Sequence, residues 1–284
     1  MRKSLLLLLT FMFSITMVLA QNDESADNSS KEEKDNKEKK EKSYTDFITD
    51  EAISSSGLWS VHKVDGKHFF ELPEDLLDKE ILVVSRISGF VKNLNFGGAG
   101  VKSKPQQVIR WQKMDDKILL RSVSYNSVAS FEDPIYESVK NNNFEPIIMA
   151  FDLKFSTDST HLFEVDPLFT ADVPMISAVS EGQAKRFGLK GVDKKRSFIT
   201  KMTAFPENVE IRHILTYKGG SKLPDNQITG AMSVEMNQSF ILLPEEPMQP
   251  RYFDPRVSYF SVSQTNYSLN DQRTESQRFI TRWR

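Results

Sequence analysis

After residue 43 the apolar positions of the chain fall into short runs separated by turn residues, a pattern that predicts many strands and few helices. The clearest local signal is Asp65-Gly66, a two-residue turn pair inside 59–72. Placing it at the tip of a hairpin pairs Val64 with Lys67 and Lys63 with His68. One face then carries Trp59, Val61, Phe70 and Leu72, and the other carries Ser60, His62 and Glu71, with Phe69 as the exception. One apolar and one polar face is what a sheet lying on a core requires.

The run 73–77 predicts a single helical turn. The continuously apolar 79–87 predicts a strand buried on both faces. A second hairpin is expected from 107–113 and 117–125 around Asp115-Asp116, and a short helix within 135–140. Residues 146–155 alternate most cleanly, with Met149, Phe151, Leu153 and Phe155 on one side and Asp152 and Lys154 on the other. The short run 161–165 is placed beside it. Residues 166–190 read as irregular with short helices. Further strands are expected at 197–205, 209–217, 228–235, 239–243 and 257–262, and strand character continues from Phe279 to Arg284. Evenly spaced short strands imply a mainly β (α+β) fold: antiparallel sandwich or barrel-like sheets with a few short helices.

The first 43 residues depart from this pattern. Arg2 and Lys3 precede an apolar stretch that ends at Val18-Leu19-Ala20, which reads as a signal peptide over residues 1–20. Residues 21–43 are almost wholly polar, with mixed Lys and Glu, and read as a charged linker. The chain holds 37 basic and 39 acidic residues, a formal charge of −2. Removing residues 1–20 takes away two bases and no acid, so the balance becomes about −4. That balance does not point to nucleic acid, and no later run is suited to spanning a membrane. Export to the periplasm or beyond is expected. The Gly-rich stretch 89–105 divides the remainder into a small N-terminal β domain, 44–103, and a larger β-rich domain, 104–284. Because strand character persists to Arg284, the larger domain is expected to continue beyond it.

Candidate chemistry is sparse. There is no cysteine, and the four histidines are His62, His68, His161 and His213. None are four apart, so the helical H-E-x-x-H zinc site is absent. The hairpin pairing puts His62 and His68 on opposite faces, so exposed or capping roles are expected, and His213 is expected on a polar strand face. Gly97-Gly98-Ala99-Gly100-Val101-Lys102-Ser103 lacks the G-x-x-x-x-G-K-[ST] spacing and reads as a loop rather than a phosphate cradle. Asp152, Glu164, Asp166 and Asp172 form an acidic group without a fixed calcium-loop spacing, and a solvated patch is the simpler reading. No residue is therefore assigned to catalysis, to a cofactor or to a metal. The four prolines within 244–256 favour an extended segment, carrying Arg251, Tyr252, Phe253, Asp254 and Arg256. It reads as an ordered interstrand loop with an Asp–Arg pair, or as a strap lying across a neighbouring domain.

Several stretches resemble the N-terminal region of exported bacterial zinc-dependent metalloproteases, in which two uncharacterised domains precede a metzincin-like catalytic domain. They are Gly57-Leu58-Trp59-Ser60-Val61-His62-Lys63-Val64-Asp65-Gly66-Lys67, Leu82-Val83-Val84-Ser85-Arg86-Ile87-Ser88, Arg196-Ser197-Phe198-Ile199, Phe205-Pro206-Glu207-Asn208-Val209-Glu210, Met248-Gln249-Pro250-Arg251-Tyr252-Phe253-Asp254-Pro255-Arg256-Val257 and Phe279-Ile280-Thr281-Arg282-Trp283-Arg284. The family's zinc motif has no counterpart here, so zinc is implied only for the absent catalytic domain. The resemblance implies a non-catalytic module that shields, positions or helps to fold a downstream peptidase domain, in cis or in trans. The alternative is a free-standing exported module that binds glycan or a surface protein through Trp59, Trp111 or Tyr252. A third reading is a small enzyme whose site has no sequence signature.

Overall fold

Hairpin geometry starts from the backbone of the turn residues. Asp65 and Gly66 both adopt positive φ, 49° and 77°, the combination that a type I′ turn demands and that matches strand twist. The computed structural model describes residues 43–94, 98–224, 228–270 and 272–281. The expected signal peptide and nearly all of the expected linker lie outside these residues.

The strands are β1 (Ile53–Ser55), β2 (Ser60–Val64), β3 (Lys67–Pro73), β4 (Glu80–Phe90), β5 (Gln107–Met114), β6 (Lys117–Val123), β7 (Ser127–Val128), β8 (Ile147–Ser156), β9 (Thr160–Glu164), β10 (Leu189–Val192), β11 (Phe198–Ala204), β12 (Asn208–Gly219), β13 (Ala231–Leu242), β14 (Ser261–Asn266) and β15 (Glu275–Ile280). Three short helices intervene: α1 (Tyr136–Asn142), α2 (Asp166–Phe169) and α3 (Glu181–Phe187). The first hairpin has the predicted register, Val64 opposite Lys67 and Lys63 opposite His68. One expected break and one expected strand start are corrected. The runs 228–235 and 239–243 are one strand, because Asn237 and Gln238 keep their ladder partners in β12 and β4. The run 257–262 becomes a strand only from Ser261.

Twelve strands form one sheet in the order β1-β2-β3-β9-β8-β6-β5-β4-β13-β12-β10, with β11 also paired to β12. The fold is mainly β and this antiparallel sheet curls into a nearly closed barrel. Its ends meet where Leu58 N–H donates to Phe205 O at 2.7 Å and Ala204 N–H donates to Ser55 Oγ at 3.0 Å. Gly57 makes that approach possible, since a Cβ there would stand 2.4 Å from the Phe205 carbonyl oxygen. Strands on both sides of the Gly-rich stretch share the sheet: β3 pairs with β9, and β4 with β5 and β13.

The barrel is filled. Trp59, Phe70, Trp111, Phe151, Phe163 and Phe240 interlock edge-to-face or tilted, with centroids 5.1–6.5 Å apart. Phe169, at the end of α2, lies 6.0 Å from Phe70 and 6.2 Å from Phe240, so the helix acts as a plug. A second cluster joins Ile87, Leu215, Tyr217, Met232 and Val234 with Ala178 and Val179. Outside β2, β3 and β9, the segment holding Tyr44, Phe47, Ile48 and Ala52 packs on Val64, Phe69 and Leu162. This cover is why Phe69 sits on an otherwise polar face.

The third layer is a separate three-stranded sheet, β15-β14-β7, with β14 and β7 parallel. It is held to the 124–130 segment by Thr265 N–H to Asn126 O (2.8 Å) and Tyr267 N–H to Val128 O (2.9 Å).

Candidate functional site

The histidines correct the sequence expectation most sharply: all four are buried. His213 belongs to the phase Val209, Ile211, Leu215 and Tyr217, which points into the barrel, and so it does not lie on a polar face. Its Nδ1–H donates to Phe169 O at 2.8 Å, which leaves Nε2 to accept from Gln238 Nε2 at 2.9 Å. Gln238 in turn accepts from the Ser85 hydroxyl. Burial pushes the His213 pKa down to about 4, against a smaller opposing effect of the Phe169 carbonyl.

The other three histidines are each held against a carboxylate. His62 bridges Ser54 Oγ (2.7 Å, at Nδ1) and Glu71 (3.0 Å, at Nε2), and Tyr44 OH also donates to Glu71 at 3.0 Å. The His62 bond is the main cause holding the Glu71 carboxyl below its usual range. Burial and then Glu71 push the Tyr44 hydroxyl up to about 12. His68 pairs with Asp166 at 2.8 Å, and Asp166 also accepts the His68 backbone N–H at 2.7 Å, which ties α2 to β3. His161 bridges Ser156 and Glu74. His62 and His161 are thus each in a Ser–His–Glu chain. In both, the serine is on Nδ1 and the carboxylate on Nε2, the reverse of the triad arrangement in which the nucleophile meets Nε2. The segment 44–52 is the cover that sequence pattern could not reveal, because it comes from outside the hairpin.

The acidic group disperses. Asp152 pairs with Lys117, Glu164 with Lys67 at 3.7 Å, Asp166 with His68, and Asp172 accepts from Tyr217 OH at 3.3 Å. Among the described residues no three His, Asp or Glu side chains converge to hold a metal. The described part of the Gly-rich loop folds back on β4: Gly100 N–H donates to Ile87 O, Ile87 N–H to Val101 O, and Ser103 N–H to Ser85 O. Those amides are used internally and form no phosphate cradle.

Trp59 and Trp111 are core residues, 1% and 0% exposed, so neither is available as a surface contact. Tyr252 is exposed, in a surface that the sequence had only partly marked. Within 244–256, residues 251–253 lie against β15, with Phe253 N–H donating to Arg278 O (2.9 Å), Ile280 N–H to Arg251 O (3.0 Å) and Tyr252 bridged to Phe279. Arg278 stacks 3.8 Å over the Phe253 ring. Arg256 forks onto Asp254 and holds its carboxyl below the usual range. The expected Asp–Arg pair is therefore present.

No described residue from 244 to 281 is buried. Tyr252, Val257, Tyr259, Phe260 and Val262 are exposed there, Phe260 to 91%. Such grouping of large apolar side chains marks interaction surfaces rather than free solvent faces. β15 ends at Ile280, and residues 282–284, on which the expected strand continuation rests, lie outside the described residues.

Residues 100–284 match the model of a domain of unknown function, DUF5117. The chain belongs to the DUF5117 family. Residues 41–90 match a second domain of unknown function, DUF5118. No curated protein and no solved structure matches the chain. The DUF5118 segment supplies β1 to β4 of the barrel, and the DUF5117 segment supplies the remaining strands and the exposed C-terminal sheet. Among the described residues no helix is long and apolar enough to cross a membrane.

Proposed function

We propose that this chain is an exported, non-catalytic module that docks a zinc peptidase domain through its C-terminal sheet and shields or positions it. The observation that carries this reading is the β7-β14-β15 sheet with its strap, none of whose described residues is buried, together with exposed Tyr259 and Phe260, which lead into β14. The likeness of six stretches to the region preceding a metzincin-like domain supplies the class of partner. The filled barrel also favours a scaffold, since its interior is occupied by aromatic side chains and α2 rather than a ligand chamber. Zinc belongs to the partner in this reading. Export rests on the apolar pattern of residues 1–20.

The test mixes the full chain with a purified peptidase domain of the resembled family and measures binding by calorimetry. A complex is expected, weakened about tenfold or more by joint Tyr259→Ser and Phe260→Ser substitution, as for central apolar anchors. The unfolding midpoint of the variant should match that of the parent. Absence of a complex, or equal binding by the variant, contradicts the proposal.

A further inference from the structure

A cavity of about 390 Å³ lies between the outer face of β5 and β6, the 123–129 segment that carries β7, and α1. That volume falls in the range of small-molecule pockets. Its floor is unusual. Arg110 and Arg121 stand directly opposite each other on adjacent strands, a like-charge pairing that costs stability unless counter-charges are near. Arg110 meets that condition, with Glu80 at 3.1 Å and Glu145 at 3.5 Å. Its Nε is buried without a partner.

Arg121 does not meet it. This side chain is 7% exposed, and its two hydrogen bonds go to neutral acceptors, Gln112 Oε1 and the Glu145 backbone oxygen, both at 2.7 Å. Its guanidinium lies 5.0 Å from the Phe144 ring. Among the described residues no carboxylate is in ion-pair range of it. A buried cation without a counter-ion is costly, and the open space beside Arg121 is where an anion relieves that cost.

The charge and walls narrow the ligand. Three cations (Arg110, Arg121 and Lys140) and two carboxylates (Glu80 and Glu145) line the cavity, an excess of one positive charge. That suits a single carboxylate, whereas a phosphate dianion would face both glutamates. Tyr136 and Phe144 offer rings for an apolar group next to the carboxylate. Glu145 offers an acceptor for an N–H close to it. We propose that this cavity binds the C-terminal carboxylate of a short peptide whose last residue is apolar. The site touches the C-terminal sheet only at Ser127 and Val128 of β7 and uses neither Tyr259 nor Phe260, so failure of the docking test leaves it standing.

The experiment titrates the full chain by calorimetry with N-acetyl-Leu-Phe as the free acid and as the amide, and with glucuronate and inorganic phosphate. The free acid is expected to bind, with the amide weaker by about tenfold or more, the scale of one charge-assisted bond. Arg121→Gln should abolish the preference for acid over amide. Should that variant fail to fold, Tyr136→Ala, on the helix wall, should weaken the free acid several-fold at an unchanged unfolding midpoint. Equal binding of acid and amide, no binding of either, or stronger binding of glucuronate or phosphate would overturn the proposal.

Discussion

Acid should weaken this protein through His213 in a way that one substitution isolates. The ring is fully buried, donates through Nδ1 to Phe169 O and accepts from Gln238, so a second ring proton would face an amide N–H. Its pKa is about 4 in the folded chain against an ordinary 6.5. The unfolded chain therefore binds the proton more readily, and stability rises with pH across that window. The contribution is complete above about pH 6.5, declines as pH falls toward 4, and is flat below. A gap of about 2.5 at about 1.4 kcal/mol each gives about 3 kcal/mol in all, of which about 2 kcal/mol is lost between pH 7 and pH 5. The assay is urea unfolding at both pH values for the parent and for His213→Gln, with the slope in denaturant checked for constancy. The variant starts less stable, but its loss between the two pH values should be smaller by about 2 kcal/mol. Equal losses in the two proteins would refute the reasoning, because the remaining titratable groups are common to both.

Three further outcomes follow from packing. Gly57→Ala forces a methyl against the Phe205 backbone and should cost about 1–3 kcal/mol by thermal or urea unfolding; a neutral result would mean that the barrel seam yields freely. Trp111→Ala empties the centre of the aromatic cluster and should cost about 3–5 kcal/mol. Phe260→Ser removes an exposed ring, so stability should stay within about 0.5 kcal/mol while self-association at high concentration, read by sedimentation, decreases.

Local chemistry made much of the sheet legible in the sequence. Asp65-Gly66 specified both the turn and the register of β2 and β3, because few residue pairs accept two positive φ values. The hairpin of β5 and β6 was plain from its Asp115-Asp116 turn, and β8 from alternation, except that a register shift between Leu153 and Phe155 turns Phe155 out of the expected face onto Tyr44. What local pattern could not supply was the cover. His62 and Phe69 share a hairpin face that looks half polar, and only the returning segment 44–52 makes that face buried. Trp59 and Trp111 look like ligand platforms until the sheet curls and closes on them. His213 was misplaced for a different reason. Its polarity was weighted above its phase with Val209, Ile211 and Leu215, although that phase was readable. The Arg110–Arg121 pairing was hidden because it depends on a register between strands, not on any spacing along the chain.

The docking proposal stands or falls most directly on amide hydrogen exchange of the full chain with and without the peptidase domain. Slower exchange confined to residues 257–266 and 275–280, with the barrel strands unchanged, is the predicted result. Protection centred on the barrel, or an unchanged pattern at concentrations where a complex forms, would contradict it.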